Sequence, residues 1–148
     1  MLSVYIVTIE GYFYTDLTTI KSITIANLRG GAFTYNFAAH DNPKQHHWPS
    51  IHFIERNLHQ ISYWEPGLEQ NKIADILYEF CHNSLVIVPN THTALQLEKY
   101  LRKDQIVDLQ NHPRWPAFSF PKIMDSLCGR HDASHNARHC TITKSNPI

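Results

Sequence analysis

The sequence predicts an α/β fold: a mixed sheet of three antiparallel strands followed by two parallel ones, flanked by helices. Three observations carry that expectation. The first forty residues are dense in β-branched and aromatic side chains broken by turn residues, the middle of the chain repeats apolar residues at helical spacing, and a short apolar run is followed by a helix and then a second short run. Parallel neighbours require a crossover connection, and a strand–helix–strand unit supplies one of the usual right-handed kind.

Taken in order, "VYIVTIEGYFY" (Val4 to Tyr14) has no proline and reads as a long central strand. "TTIKSITIANL" (Thr18 to Leu28) alternates along its length, and "GGAFTYNFAA" follows an Arg-Gly-Gly turn, so the three runs form a meander. "HDNPKQHHWPS" (His40 to Ser50) holds two prolines and no period and reads as a loop, with Ser50 as cap of a helix marked by Ile51, Ile54, Leu58 and Ile61. After the Pro-Gly turn of "YWEPGLEQN", Ile73, Ile76, Leu77 and Phe80 mark a second helix with Cys81 at its end. "SLVIVPN" is a continuous apolar run, expected as a strand buried on both faces.

"THTALQLEKYLRK" is the clearest helix in the chain, with Asn90 or Thr91 as cap and Leu95, Leu97 and Leu101 facing inward. Its cations, Lys99, Arg102 and Lys103, cluster towards the end where they favour the dipole. "QIVDLQ" supplies the last strand. Beyond the proline-rich "NHPRWPAFSFP", Pro121 opens a helix through Ile123, Met124 and Leu127.

At 148 residues and 17.2 kDa, without an internal repeat, the chain suits one domain spanning residues 1–148. Thirteen basic and thirteen acidic side chains cancel, which removes any bulk electrostatic argument for nucleic acid or anionic membrane and leaves only local patches. Three cysteines, an odd number, and no signal-peptide charge pattern point to a reducing compartment. "MLSVYIVTIEG" alternates like a strand and is far too short to span a bilayer, so the expectation is an intracellular protein, cytoplasmic or nuclear, with no membrane partner. Of the eleven histidines, His46, His47, His82 and His112 lie in polar, turn-like surroundings and read as surface residues.

One segment stands apart. "CGRHDASHNARHC", residues 128 to 140, places Cys128, His131 and Cys140 in a C-x2-H-x8-C pattern. Thiolate and imidazole are preferred zinc ligands, and the C-x-x-H pair lets one turn offer two donors to a tetrahedral ion. Three ligands leave one position, for which His135, His139, Cys81, Asp132 and Glu10 are the alternatives. The plainer reading makes Cys128 and Cys140 buried apolar thiols on packed helices and His131 a surface side chain.

The order of elements is that of RNase H-like folds, and two motifs resemble the DEDDh exonucleases that share the fold. "TIE" (Thr8 to Glu10) is similar to that family's D-x-E on the first strand, and "HDASHNA" (His131 to Ala137) to its H-x-A-x-x-D-A. Thr8 stands in place of the first aspartate, Asn136 in place of the last, and "VPNTHTALQLEKYL" has no aspartate at its helix start. Two-metal chemistry needs several carboxylates around paired ions, so the resemblance implies that such exonuclease activity is lost.

A closer likeness is to the Maelstrom domain of the piRNA pathway, a DEDDh-like fold without the catalytic acids that binds zinc through a Glu-Cys-His-Cys set. Glu10 in "IEG", with Cys128, His131 and Cys140, resembles that set, and the likeness extends weakly over "IKSITIANL" and "ILYEFCHNSLVIVP". It implies a structural zinc that ties the first strand to the C-terminal segment. The function implied is a catalytically degenerate module that binds single-stranded RNA or a protein partner. Candidate RNA contacts are Lys99, Arg102, Lys103, Arg114, Arg130 and Arg138, with Trp115 and Tyr100 able to stack on unpaired bases. An alternative is an atypical, metal-independent single-strand endoribonuclease using His135 and His139. A pure protein-interaction domain, with Trp48, Trp64 and Trp115 as anchors, is a third.

Overall fold

A computed structural model describes residues 3–14, 17–27 and 29–111. His112, Arg114, Trp115, the helix opened by Pro121, and the whole Cys128 to Cys140 segment with Arg130, His131, Asp132, His135, Asn136, Arg138 and His139 lie outside the described residues.

Among the described residues five strands form one sheet. Strands β1 (Ser3–Phe13), β2 (Thr18–Asn27) and β3 (Ala32–Asn36) make the antiparallel meander, and β4 (Ser84–Val88) and β5 (Ile106–Asp108) add parallel to it, giving the order β3-β2-β1-β4-β5. This is the mixed α/β sheet that the sequence predicts, with the strand order of the RNase H-like fold. Helices α1 (Trp48–Asn57) and α2 (Lys72–Cys81) lie between β3 and β4, and α3 (Thr91–Leu97) is the crossover from β4 to β5.

Alternation assigns the two faces of the sheet. Val7 and Ile9 of β1, Ile20, Ile23 and Ile25 of β2, and Val86 and Val88 of β4 pack with Ile73, Leu77 and Cys81 of α2 and with Ala94, Leu97 and Leu101 from α3 and the turn after it. With Phe37, which completes the cluster, every one of these is apolar, so the main core is dry. The opposite face of β1 and β2 carries Thr8, Glu10, Ser22 and Thr24, all buried. At its far end a second cluster forms from Tyr12, Leu17, Ile51 and Tyr63, which brings α1 onto the sheet.

The meander is interrupted where the site begins. Glu10 pairs with Ser22 but Gly11 pairs with Ile20, so Lys21 is an extra residue that bulges out of β2. Its ammonium is buried and donates to the Glu65 carbonyl at 2.7 Å, and burial lowers its pKa despite the opposing charge of Glu65. Gly11 is required here: a Cβ would stand 2.2 Å from the Thr19 carbonyl oxygen.

Four helical expectations need correction. Helix α1 begins at Trp48 with Pro49 in its first turn, so Ser50 is inside the helix and not its cap. Proline's locked φ suits that first turn, and the helix stops at Asn57, short of Ile61, because Leu58 leaves helical geometry and Gln60 takes a positive φ of 59°. Helix α3 ends at Leu97, where Tyr100 N–H closes a tight three-residue turn onto the Leu97 carbonyl at 2.9 Å. Leu95 is 56% exposed. It sits about 200° around the helix from Leu97, so the two cannot share an inward face, and Ala94 takes the inner position. Strand β4 is likewise not buried on both faces: Ser84, Val86 and Val88 are buried while Leu85 and Ile87 are half-buried.

Candidate functional site

The carboxyl-terminal ends of β1 and β4 meet the start of α3 and the end of α1, and two adjoining clefts open there. The smaller, about 220 Å³, is lined by Glu10, Gly11, Phe13, His59, Asn90, His92 and Thr93, with Ile9, Ile54 and Leu58 as its apolar floor. The larger, about 600 Å³, is lined by Phe13, Tyr14, Thr18, His46, His47, Ser50, His92 and Gln96. Phe13 and His92 belong to both.

Local structure places each side chain. Glu10 is on the last regular turn of the β1–β2 ladder before the bulge, 8% exposed, where an ionised carboxylate needs donors or a cation around it. Asn90 caps α3: its Oδ1 accepts from the Thr93 N–H and hydroxyl, both at 2.8 Å, as its position before the helix predicts. Thr91 donates to Asp108 Oδ2 at 2.6 Å, and Asn111 bonds both, so the crossover is tied to the end of β5. Asp108 is thereby committed to holding α3 in place.

His59 has a structural role. Its Nδ1 accepts from the Ile61 N–H at 3.0 Å, so Nε2 carries the proton and donates to the Gly11 carbonyl at 3.0 Å. The ring also meets Tyr12 edge to face, and the Tyr12 hydroxyl donates to the Ile61 carbonyl. Burial, reinforced by the charge of Glu55, drives the Tyr12 phenol far above its ordinary range, so it stays a donor.

His47 corrects the expectation of a surface residue. It is 4% exposed at the end of a short 3-10 helix, Gln45–His47, and its Nδ1 accepts from the Lys44 N–H at 3.0 Å. Its ring lies 4.1 Å from His46 and 5.4 Å from Tyr14. His46 is exposed and His82 half-buried, the latter stacked on Tyr78 at 4.4 Å. On the other wall His92 meets Phe13 edge to face at 4.5 Å. Desolvation lowers the His92 pKa, and nearby Lys99 lowers it further. Lys99 also donates to Gln96, which lines the larger cleft, at 3.0 Å.

Of the residues predicted from sequence, the structure brings Glu10 to this end of the sheet, while Lys99, past the end of α3, reaches back towards it through its bond to Gln96. Arg102 is paired with Asp104 at 3.3 Å, and Lys103 opens the short helix Lys103–Gln105 at the opposite end, where Gln105 donates to the Cys81 and Ser84 carbonyls at 2.7 and 2.9 Å. Cys81 is fully buried in the main core and lines neither cleft, and burial pushes its thiol up to about 12. Tyr100 is 38% exposed, and Trp64 is exposed beside Trp48 at 6.0 Å.

Sequence reasoning missed Phe13, Tyr14, His46, His47 and His92 as a group. Nothing in their spacing announces it, since they come from a strand end, a loop and a helix start. The class these features define is an α/β protein of RNase H-like strand order whose strand-end clefts are lined by rings, imidazoles and one carboxylate among the described residues. Comparison with protein-family models and with curated proteins gives no match. No helix among the described residues is long and apolar enough to cross a membrane.

Proposed function

We propose that this chain is a zinc-stabilised, catalytically degenerate relative of the DEDDh exonucleases, resembling the Maelstrom domain, that acts by binding single-stranded RNA. The observation that carries the reading is the lining of the strand-end cleft. Where a two-metal nuclease gathers carboxylates, the described residues offer Glu10 alone, with Asn90, His92 and Thr93 opposite it.

Glu10 fits the proposed zinc. It is a buried carboxylate on an inner strand that lines a cleft, and a carboxylate oxygen is one of the donors zinc takes. Cys128, His131 and Cys140 complete the set in the proposal. A zinc closed by four protein ligands supplies folding energy and no activated water, so the ion's part is to fasten the C-terminal segment to β1.

Elemental analysis of purified protein tests this, repeated on Cys128→Ser and Glu10→Gln. One zinc per chain is expected, lost in the first variant and weakened in the second, with a lower melting temperature in both. Protein prepared without chelator that contains no zinc overturns the reading and returns Cys128 and Cys140 to the role of buried thiols. A protein partner in place of RNA is the outcome if the zinc is present and no single-stranded RNA binds.

A further inference from the structure

We infer that the larger cleft is a nucleotide subsite, in which an unpaired base lies between the Phe13–His92 corner and the Tyr14–His47–His46 wall with its phosphate towards Lys99. The inference rests on the RNA-binding reading and adds to it a place and a ligand chemistry.

The geometry carries it in three ways. Ring systems stand on two walls: Phe13 and His92 meet at 4.5 Å and 72°, making a right-angled corner, while Tyr14, His47 and His46 run in series at 5.4 and 4.1 Å. A planar heterocycle is the ligand that such walls take, because every base has a π face and stacking tolerates sequence. The volume, about 600 Å³, is in the range of sites for molecules of nucleotide size.

The polar groups of the cleft also suit a nucleotide. Thr18, Ser50 and Gln96 supply hydroxyl and amide groups for a base edge or ribose, and the Tyr14 hydroxyl is buried without a hydrogen-bond partner of good geometry among the described residues. No carboxylate is among the described lining residues, so none of these repels a phosphate. His92, Gln96 and Lys99 fall at i, i+4 and i+7, one stripe along α3 and the turn after it, which leads from the ring corner to a cation. The glutamate of the neighbouring cleft lines that cleft and not this one.

The same chemistry would admit a free mononucleotide, and the experiment separates the two sources. Fluorescence anisotropy of the full chain is measured with a labelled oligouridylate and a labelled oligoadenylate, with unlabelled AMP as competitor, on the unaltered protein and on His92→Ala, His46→Ala, Lys99→Ala and Lys103→Ala. His92 and His46 are exposed, so these variants keep the fold, which melting curves check. Loss of one stacking ring is expected to weaken RNA binding by roughly five-fold or more. Lys99→Ala should weaken it and flatten its salt dependence, whereas Lys103→Ala, at the other end of the sheet, should leave it unchanged. If RNA binds and the three cleft variants bind it like the unaltered chain, the subsite is overturned while the RNA reading stands. AMP that competes at the concentration at which the RNA itself binds keeps the subsite and overturns RNA as its source. Binding of neither probe to the unaltered chain overturns both.

Discussion

Both faces of the central sheet are buried, but they are built from opposite chemistry. One face presents Val7, Ile9, Ile23, Ile25 and Val86 to the aliphatic stripes of α2 and α3. The other presents Thr8, Glu10, Ser22 and Thr24 between the Ile6–Ala26 pair at one end and Tyr12 at the other, and no hydrophobic argument accounts for choosing those four polar side chains. Burying an aliphatic side chain contributes about 1.5–3 kcal/mol, whereas a buried hydroxyl or carboxylate at best breaks even and must be satisfied to do so. The Thr24 and Thr34 hydroxyls, bonded at 2.9 Å, show one such satisfaction within the sheet. The contrast teaches that the dry face holds the fold together and the polar face, with the clefts at its end, is where the chain spends stability on something else.

The largest effect should come from breaking the dry face. Leu77→Ala removes a fully buried side chain from the middle of the main core and is expected to lower unfolding free energy by about 2–5 kcal/mol in a denaturant titration. The bulge that follows Glu10 should not tolerate crowding either. Gly11→Ala forces a methyl into the Thr19 carbonyl at the bulge and is expected to cost at least about 1–3 kcal/mol, read by the same titration. A Gly11→Ala protein as stable as the original would show that the bulge relaxes freely and is not a built feature of the site.

A smaller, pH-dependent effect distinguishes the faces without mutation. The folded Cys81 thiol ionises only at about 12, against 9.0 for the ordinary value, because it is buried. The unfolded chain therefore releases that proton first, and the Cys81 contribution to stability is complete below pH 9 and falls away as pH rises from there towards 12. Denaturation midpoints between neutral and alkaline pH should decline, and Cys81→Ala should remove part of the slope. In the folded protein Cys81 should also resist thiol reagents until denaturant is added.

The smallest effect is expected at the clefts. Burial and Lys99 lower the His92 pKa from the ordinary 6.5, so the folded state prefers the neutral ring. Stability should fall slightly as pH drops through 6.5 and level off below the lowered value, and His92→Gln should flatten that region of the profile. Because His92 is exposed, water screens much of the shift, and a steep loss there would place the imidazole in a drier setting than its surface suggests.

The amino-acid sequence by itself determined the strands, their order and the crossover. Period-two runs of β-branched residues, Asn90 before a helical stripe, and a short apolar run at each end of that helix are local signals, and local signals suffice for strand, cap and connection. It also singled out Glu10, through the likeness of "TIE" and "IEG" to first-strand motifs of the DEDDh and Maelstrom families. The tertiary structure alone decided that Cys81 faces the dry core, that His47 is buried, and that Leu95 turns outward, because burial depends on which neighbour arrives across the sheet or around the helix. It alone assembled Phe13, Tyr14, His46, His47 and His92, which are separated by up to 79 positions and meet only because parallel pairing of β1 with β4 brings their ends to one edge. Long-range pairing leaves no trace in local sequence, and that is why the clefts were illegible until the sheet was closed.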